Sequence, residues 1–214
     1  IWRGYFKGWL ERRPILWDLF KQGLNRDLAA LDRDRSLRRA VEAAEAGQTG
    51  LDYFDSWVEE LVDTGYLHNH ARMWFASIWI FTLGLPWQAG ARLFMEHLKD
   101  GDPASNSLSW RWVAGIHTIG KHYLARAENI MRCTAGRVVV REYLNEGADA
   151  LPCADHPAPR RIQNHAAMPK KGGLLVLHDD DLDGDHYWQE LLAPKKTMVV
   201  NLAPHRAKKM SEHV

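Results

Sequence analysis

From Trp74 to Leu83 the chain reads Trp-Phe-Ala-Ser-Ile-Trp-Ile-Phe-Thr-Leu, so a helix built from it offers almost no polar face. A helix that is apolar nearly all round has to be surrounded by protein. The stretch therefore predicts a central buried helix, Leu67 to Leu83, with other helices about it. Those others are legible. Ile1 to Arg12 is amphipathic and stops before Pro14, because the residue preceding a proline disfavours helix. Ile15 to Leu31 carries Leu16, Leu19, Phe20, Leu24 and Leu28 near helical period. Ser36 is placed to cap a helix from Leu37 to Ala46 that ends at Gly47. Leu51 to Val62 sets Leu51, Phe54, Val58, Leu61 and Val62 on one stripe. Pro86 suits the first turn of a helix reaching Leu98, and Ser105 to Ala114 reads as a further short helix.

From about Glu146 the texture changes. Residues 147–173 are rich in Pro, Gly, Ala and basic residues and read as a loop or linker. Two strand-like runs follow, Leu174 to Leu177 and Met198 to Leu202. A pair of strands is marginal alone, so this tail is expected to dock on the helical part or to belong to a domain cut short at Val214. The fold class expected is mainly α: a helical domain over 1–145, a linker over 146–173, and a short α/β appendage over 174–214.

Composition excludes some classes. The net charge of +1 gives no global nucleic-acid signature, so any DNA site must be a local basic patch. Two cysteines, Cys133 and Cys153, are too few for a disulfide framework and suit a reduced, cytoplasmic setting. No apolar run reaches the length of a membrane span. The chain starts Ile-Trp-Arg, with neither Met nor a signal peptide, and reads like the middle of a larger protein.

Two segments carry the chemistry. Asp100-Gly101-Asp102-Pro103-Ala104-Ser105-Asn106-Ser107-Leu108-Ser109-Trp110-Arg111-Trp112 holds two acids about a glycine, a small-residue turn, an Asn and two tryptophans. Buried carboxylates in such a turn need partners. Upstream, Thr64-Gly65-Tyr66-Leu67-His68-Asn69-His70-Ala71-Arg72-Met73 is a second polar and aromatic cluster. In order and spacing the two resemble the flavin-binding half of the photolyase/cryptochrome family, over roughly residues 1 to 140.

That resemblance implies a multi-helical domain wrapped around FAD, and it implies roles. Asn106 matches the amide that faces flavin N5. Asp100 and Arg72 match an ion pair beside the flavin, where an Arg stabilises negative charge on the reduced ring and needs a carboxylate of its own. Asp102 matches a second acid at the flavin rim, Asp55 a helix acid near the site, and Arg3 a contact to cofactor and DNA phosphates. Asn69 serves cofactor and substrate alike. Trp2 and Trp112 match the walls of a lesion pocket, and Asn69 and Met73 match contacts to a pyrimidine dimer. Relatives that repair the (6-4) photoproduct carry histidines at those last two positions. Asn106 likewise differs from the Cys usual in animal cryptochromes and the Asp usual in plant ones. Lys121, Arg126, Arg132 and Arg137 could meet DNA phosphates.

The family's electron chain maps to Trp110 nearest the flavin and Trp87 in the middle. Its outer position falls near Asp34, which is not aromatic; Trp17, Trp74 and Trp79 are the available substitutes. The family's upstream phosphate loop and α/β antenna domain are not found in these residues, and its lesion-bonding Glu would precede Ile1. The implied activity is light-driven repair of cyclobutane pyrimidine dimers in double-stranded DNA by reduced FAD. The alternatives are a cryptochrome-type photoreceptor, or a structural relative without flavin.

Asp179 to Glu190 fits the spacing of an EF-hand loop, with acids at positions 1, 3, 5 and 12 and Gly at position 6. The segment before it reads as a strand and position 8 is His, so the expectation is no metal: an acidic loop before a short helix from Tyr187 to Leu192.

Overall fold

Phe75 and Trp79 have no exposed surface, and Phe54, Phe94 and Trp110 close around them in one aromatic core. The rings meet tilted or edge-on, with Phe54–Phe75 at 4.4 Å, Phe75–Phe94 at 5.0 Å and Phe94–Trp110 at 5.1 Å between centroids. The predicted central segment is thus central. This computed structural model describes residues 2–162, 172, 174–178 and 193–200. The chain divides into two units, Ile1–Ile162 and Gln163–Val214.

Among the described residues the first unit is built of α1 (Trp2–Arg12), α2 (Ile15–Arg33), α3 (Arg35–Glu45), α4 (Asp52–Thr64), α5 (Asn69–Ser77), α6 (Trp87–His97), α7 (Pro103–Val113) and α8 (Ala127–Cys133). Two local findings depart from the sequence reading. Asp34, not Ser36, caps α3: its carboxylate accepts from the backbone N–H of Ser36 and Leu37 at 2.8 and 3.0 Å. The helix consequently starts earlier. The central helix is not α throughout, because Ile78–Thr82 winds as a π-helical turn, with Leu83 N–H donating to Ile78 O at 2.9 Å. The wider turn lets four successive bulky residues, Ile78 to Phe81, share a crowded core. Further along, α8 begins at Ala127, where Glu146 accepts the backbone N–H at 2.9 Å.

Two joints position the later site. Gly65 ends α4 in the left-handed region, φ +69°, where a β-carbon is costly. The carbonyl of Gly65 then accepts the backbone N–H of Lys99 at 2.9 Å, which ties the Thr64–Met73 segment to the end of α6. On the other side, α1 docks on α7 through a small cluster of Phe6, Leu16, Ala104 and Leu108.

Residues 137–162 form no regular element yet belong to the first unit. Asn145 donates to Phe81 O, Leu151 N–H to Ala114 O, His156 Nε2 to His117 O at 2.6 Å, and Arg160 N–H to Arg12 O at 2.8 Å. The segment reads as a loop because its hydrogen bonds run to distant parts of the chain rather than along itself.

In the second unit β1 (Leu174–His178) pairs in parallel with β2 (Lys196–Val200), Leu174 opposite Lys196 and His178 opposite Val200. The EF-hand-like stretch Asp179–Glu190 and the helix expected at Tyr187–Leu192 lie outside the described residues. Among the described residues no helix is long and apolar enough to cross a membrane.

Candidate functional site

The turn from Asp100 to Asp102 leads directly into α7. Asp102 is its N-cap, accepting the Ser105 backbone N–H at 2.7 Å, and Pro103 takes the first position, where a missing N–H costs nothing. Asp102 is nearly enclosed, 4 % exposed. Burial works against its ionisation, but the Ser105 bonds and the Lys7 ammonium at 3.4 Å outweigh it and hold the carboxyl below its ordinary range. Asp100 meets Arg72 through two parallel bonds, Nη1 to Oδ2 at 3.1 Å and Nη2 to Oδ1 at 2.9 Å. Such a fork fixes orientation as well as charge. Arg72 Nε also donates to Leu67 O at 2.8 Å, so the guanidinium is braced by the segment that leads into α5.

Helix α1 completes the arrangement. Arg3 donates to the Asp100 carbonyl at 2.6 Å and approaches its carboxylate at 3.4 Å. Arg3 and Lys7 lie four residues apart and therefore on one face of the helix. Their spacing matches the two acids flanking Gly101. Lys7 is absent from the sequence reading, and the i, i+4 relation to Arg3 is the signal that would have found it.

Between α1, α5, α6 and α7 lies a cavity of about 420 Å³, within the usual size of small-molecule sites. Nine of the expected site residues line it: Arg3, Asn69, Arg72, Met73, Asp100, Asp102, Asn106, Trp110 and Trp112. Phe6, Phe94, Leu98 and Val113 add apolar wall that the motifs did not reveal. Asn106 is buried; its Nδ2 donates to Ala91 O at 2.7 Å, which leaves Oδ1 to accept from a guest. The Trp110 Nε1–H is enclosed and has no acceptor. A cavity holding a forked guanidinium, an amide oxygen and indole and phenyl faces suits a flat, polar-edged heteroaromatic ring.

Two expected residues stand apart. Asp55 does not line this cavity: it closes the turn before α4, accepting from Thr49 Oγ1 at 2.6 Å and from the Thr49 and Gly50 backbone at 3.0 Å. Trp87 does not line the cavity; it packs on Phe20, with ring centroids 5.5 Å apart. Trp2 opens α1, but its side chain lies outside the described residues. Trp112 stacks on Tyr123 at 5.9 Å, and Tyr123 belongs to a neighbouring cleft with His70, His122, Arg126 and Asn129. Among the described residues no group of three or more His, Cys, Asp or Glu could hold a metal ion.

Comparison with known proteins adds an independent view. Residues 1–164 match the family model described as the FAD binding domain of DNA photolyase. A deoxyribodipyrimidine photo-lyase of Streptomyces griseus is 44 % identical over 87 residues, covering 41 % of this chain and 19 % of that protein. One from Escherichia coli (strain K12) is 37 % identical over 83 residues, 39 % of this chain and 18 % of its own. A cryptochrome DASH of Natronomonas pharaonis is 36 % identical over 116 residues, 54 % of this chain and 23 % of its own. The matched stretches therefore span about a fifth of these relatives' lengths.

Proposed function

This chain belongs to the family of FAD binding domains of DNA photolyases, and on that premise we propose that it forms part of an enzyme that splits cyclobutane pyrimidine dimers in DNA, using light and an electron from reduced FAD. The observation that carries the reading is the forked Arg72–Asp100 pair in a cavity that also holds Asn106, Met73 and Trp112.

FAD supplies an isoalloxazine that absorbs light and passes single electrons. The chain's own groups bind and tune it. Arg72 would set a positive charge beside the ring and so favour the reduced, anionic form; Asp100 keeps that guanidinium paired, and Arg3 holds Asp100. Asn106, whose Nδ2 is held by Ala91 O, would offer Oδ1 to the ring without adding charge. Asp102 holds α7, and with it Asn106 and Trp110, against α1. Trp112 offers a stacking face and Met73 and Asn69 an edge for a dimer turned out of the duplex, where a distorted lesion is easier to extrude than a normal base.

The test uses the full-length protein. An absorption spectrum with flavin bands, followed by light-dependent loss of dimers from an irradiated oligonucleotide, supports the reading. Trp112→Ala is expected to remove about tenfold or more of the preference for damaged over undamaged DNA. Equal binding to both at moderate salt overturns it. Likeness to a cryptochrome DASH favours a second reading, a blue-light receptor, which flavin bands without repair would bring forward.

A further inference from the structure

We infer that the C-terminal end of α1 and the strap crossing it form a second contact surface for DNA, in which Arg13 and Arg160 grip backbone phosphates several base pairs away from the cavity. The inference deepens the reading above and rests on the chain acting on DNA.

The strap is pinned at three points. Leu151 N–H donates to Ala114 O at 3.0 Å, His156 Nε2 to His117 O at 2.6 Å, and Arg160 N–H to Arg12 O at 2.8 Å. At the last point the side chains clasp as well. Arg160 Nε donates to Glu11 O at 2.9 Å, and Arg13 Nε donates back to Pro157 O at 3.1 Å. The Arg13 guanidinium also lies 3.9 Å over the Trp9 ring, so its plane is fixed. A guanidinium carries five N–H donors in a rigid fork. Anchoring it through Nε leaves the Nη edge, which can meet a phosphate with two parallel bonds. Among the described residues neither Nη edge has a partner.

Arg12 and Arg161 adjoin the clasp in sequence, and both are exposed. None of the four arginines forms an ion pair among the described residues; the carboxylates nearest in sequence, Glu11 and Asp155, form none either. The negative end of a helix offsets only about half an elementary charge. Four cations therefore stand together with little to balance them, a cost that a bound polyanion removes. Satisfying the last carbonyls of α1 accounts for Arg160 alone and leaves Arg12, Arg13 and Arg161 unexplained.

A DNA backbone suits this surface in charge and in reach. Arg3, at the other end of α1, lines the cavity. The ten residues from Arg3 to Arg13 span about 15 Å of helix. Phosphates of one DNA strand advance 3.4 Å per base pair along the duplex, so the cluster lies about four to five base pairs from a lesion seated at the cavity. Short duplexes end before they reach it.

The test measures binding of the full-length protein to dimer-containing duplexes with about two or about eight base pairs on each side of the lesion, from about 50 to about 200 mM salt. Wild type should bind the long duplex more tightly and with the steeper salt dependence. Arg13→Gln/Arg160→Gln should lose about tenfold or more on the long duplex, with a log–log salt slope shallower by about 2, and should match wild type on the short one. Arg12→Gln/Arg161→Gln, which removes charge without touching the clasp, should also flatten the slope on the long duplex. Circular dichroism and urea midpoints are read alongside. Loss of stability in the first variant with unchanged salt slopes in both overturns the inference alone and leaves a purely structural clasp. A flattened slope in a protein that binds damaged and undamaged long duplexes equally keeps this surface and overturns the repair reading. Absence of DNA binding by wild type overturns both.

Discussion

The backbone N–H of Lys99 donates to the carbonyl oxygen of Gly65 at 2.9 Å, and this one bond joins the two segments that supply Arg72 and Asp100. Gly65 can make it only in the left-handed region, and a β-carbon there would lie 2.8 Å from Lys99 Cγ and 3.1 Å from the His97 carbonyl. Gly65→Ala should therefore cost about 1–2 kcal/mol of stability, read from the urea midpoint, and should loosen the ion pair across the joint. An unshifted midpoint would show that the turn adapts.

Asp100→Ala removes one carboxylate, both of whose oxygens accept from the Arg72 fork and which also faces Arg3. In the full-length protein the variant should purify with markedly less flavin than wild type, measured by absorbance after gel filtration. Leu67 O still braces Arg72, so the fold should survive. Full retention of flavin would remove the ion pair from the account of binding.

Gly90→Ala probes close packing in the core. The added methyl meets Trp110 Cη2 at 2.3 Å and Trp79 Cδ2 at 3.0 Å, both rings fully enclosed. A loss of about 1–3 kcal/mol is expected, with a changed near-UV circular dichroism as the indoles are displaced.

Asp102 separates into two contributions. Asp102→Asn keeps a capping side chain for α7 but loses the charge facing Lys7, and Asp102→Ala loses both. The alanine variant should be less stable than the asparagine one by about 1 kcal/mol. A smaller gap would mean that the pair, not the cap, is what Asp102 supplies.

Two groups give stability opposite slopes in mild acid. Burial raises Asp27 to about 6 against the neighbouring Arg26, and its Oδ2 has no partner, so folding favours the protonated acid and stability rises as pH falls from about 6 toward 3.8. His117, packed on Trp9 at 4.8 Å, is lowered to about 4 by burial and by His156, Arg111 and Arg13. The unfolded imidazole takes its proton near 6.5, so this group costs stability as pH falls from 6.5 to about 4. Asp27→Asn should be more stable than wild type at pH 7 by about 1 kcal/mol after allowance for solvent screening. The two should converge near pH 4, and urea midpoints between pH 4 and 7 read both effects.

Much of this was legible in the sequence because its causes are local. Apolar period set most helices; α7 was read from Ser105, two residues after the Pro103 start that the Asp102 cap fixes. Asp34 captured the cap of α3 ahead of Ser36 because two capping residues compete and the carboxylate reaches both free N–H groups. The π-helical turn was not legible, since the crowding that widens it comes from rings elsewhere in the chain. Neither was the path of residues 137–162, whose partners at Phe81, Ala114 and Arg12 leave no periodic trace. Asp55 resembles a site acid in its helix setting, yet its three bonds to Thr49 and Gly50 are those of a turn closing on itself.

The rim formed by α1 and the Asp100–Asp102 turn brings three cationic side chains, Arg3, Lys7 and Arg72, against two carboxylates. Arg3, Lys7 and Asp100 are each about half exposed, so these pairs sit within reach of the solvent's ions. Over a Debye length of ~8 Å at physiological ionic strength, mobile ions compete for the same charges. The tie between α1 and the Asp100–Asp102 turn should therefore slacken as salt rises, while the apolar contact of Phe6 with Ala104 and Leu108 does not. Ionic strength thus acts on the rim of the cavity and leaves its floor in place.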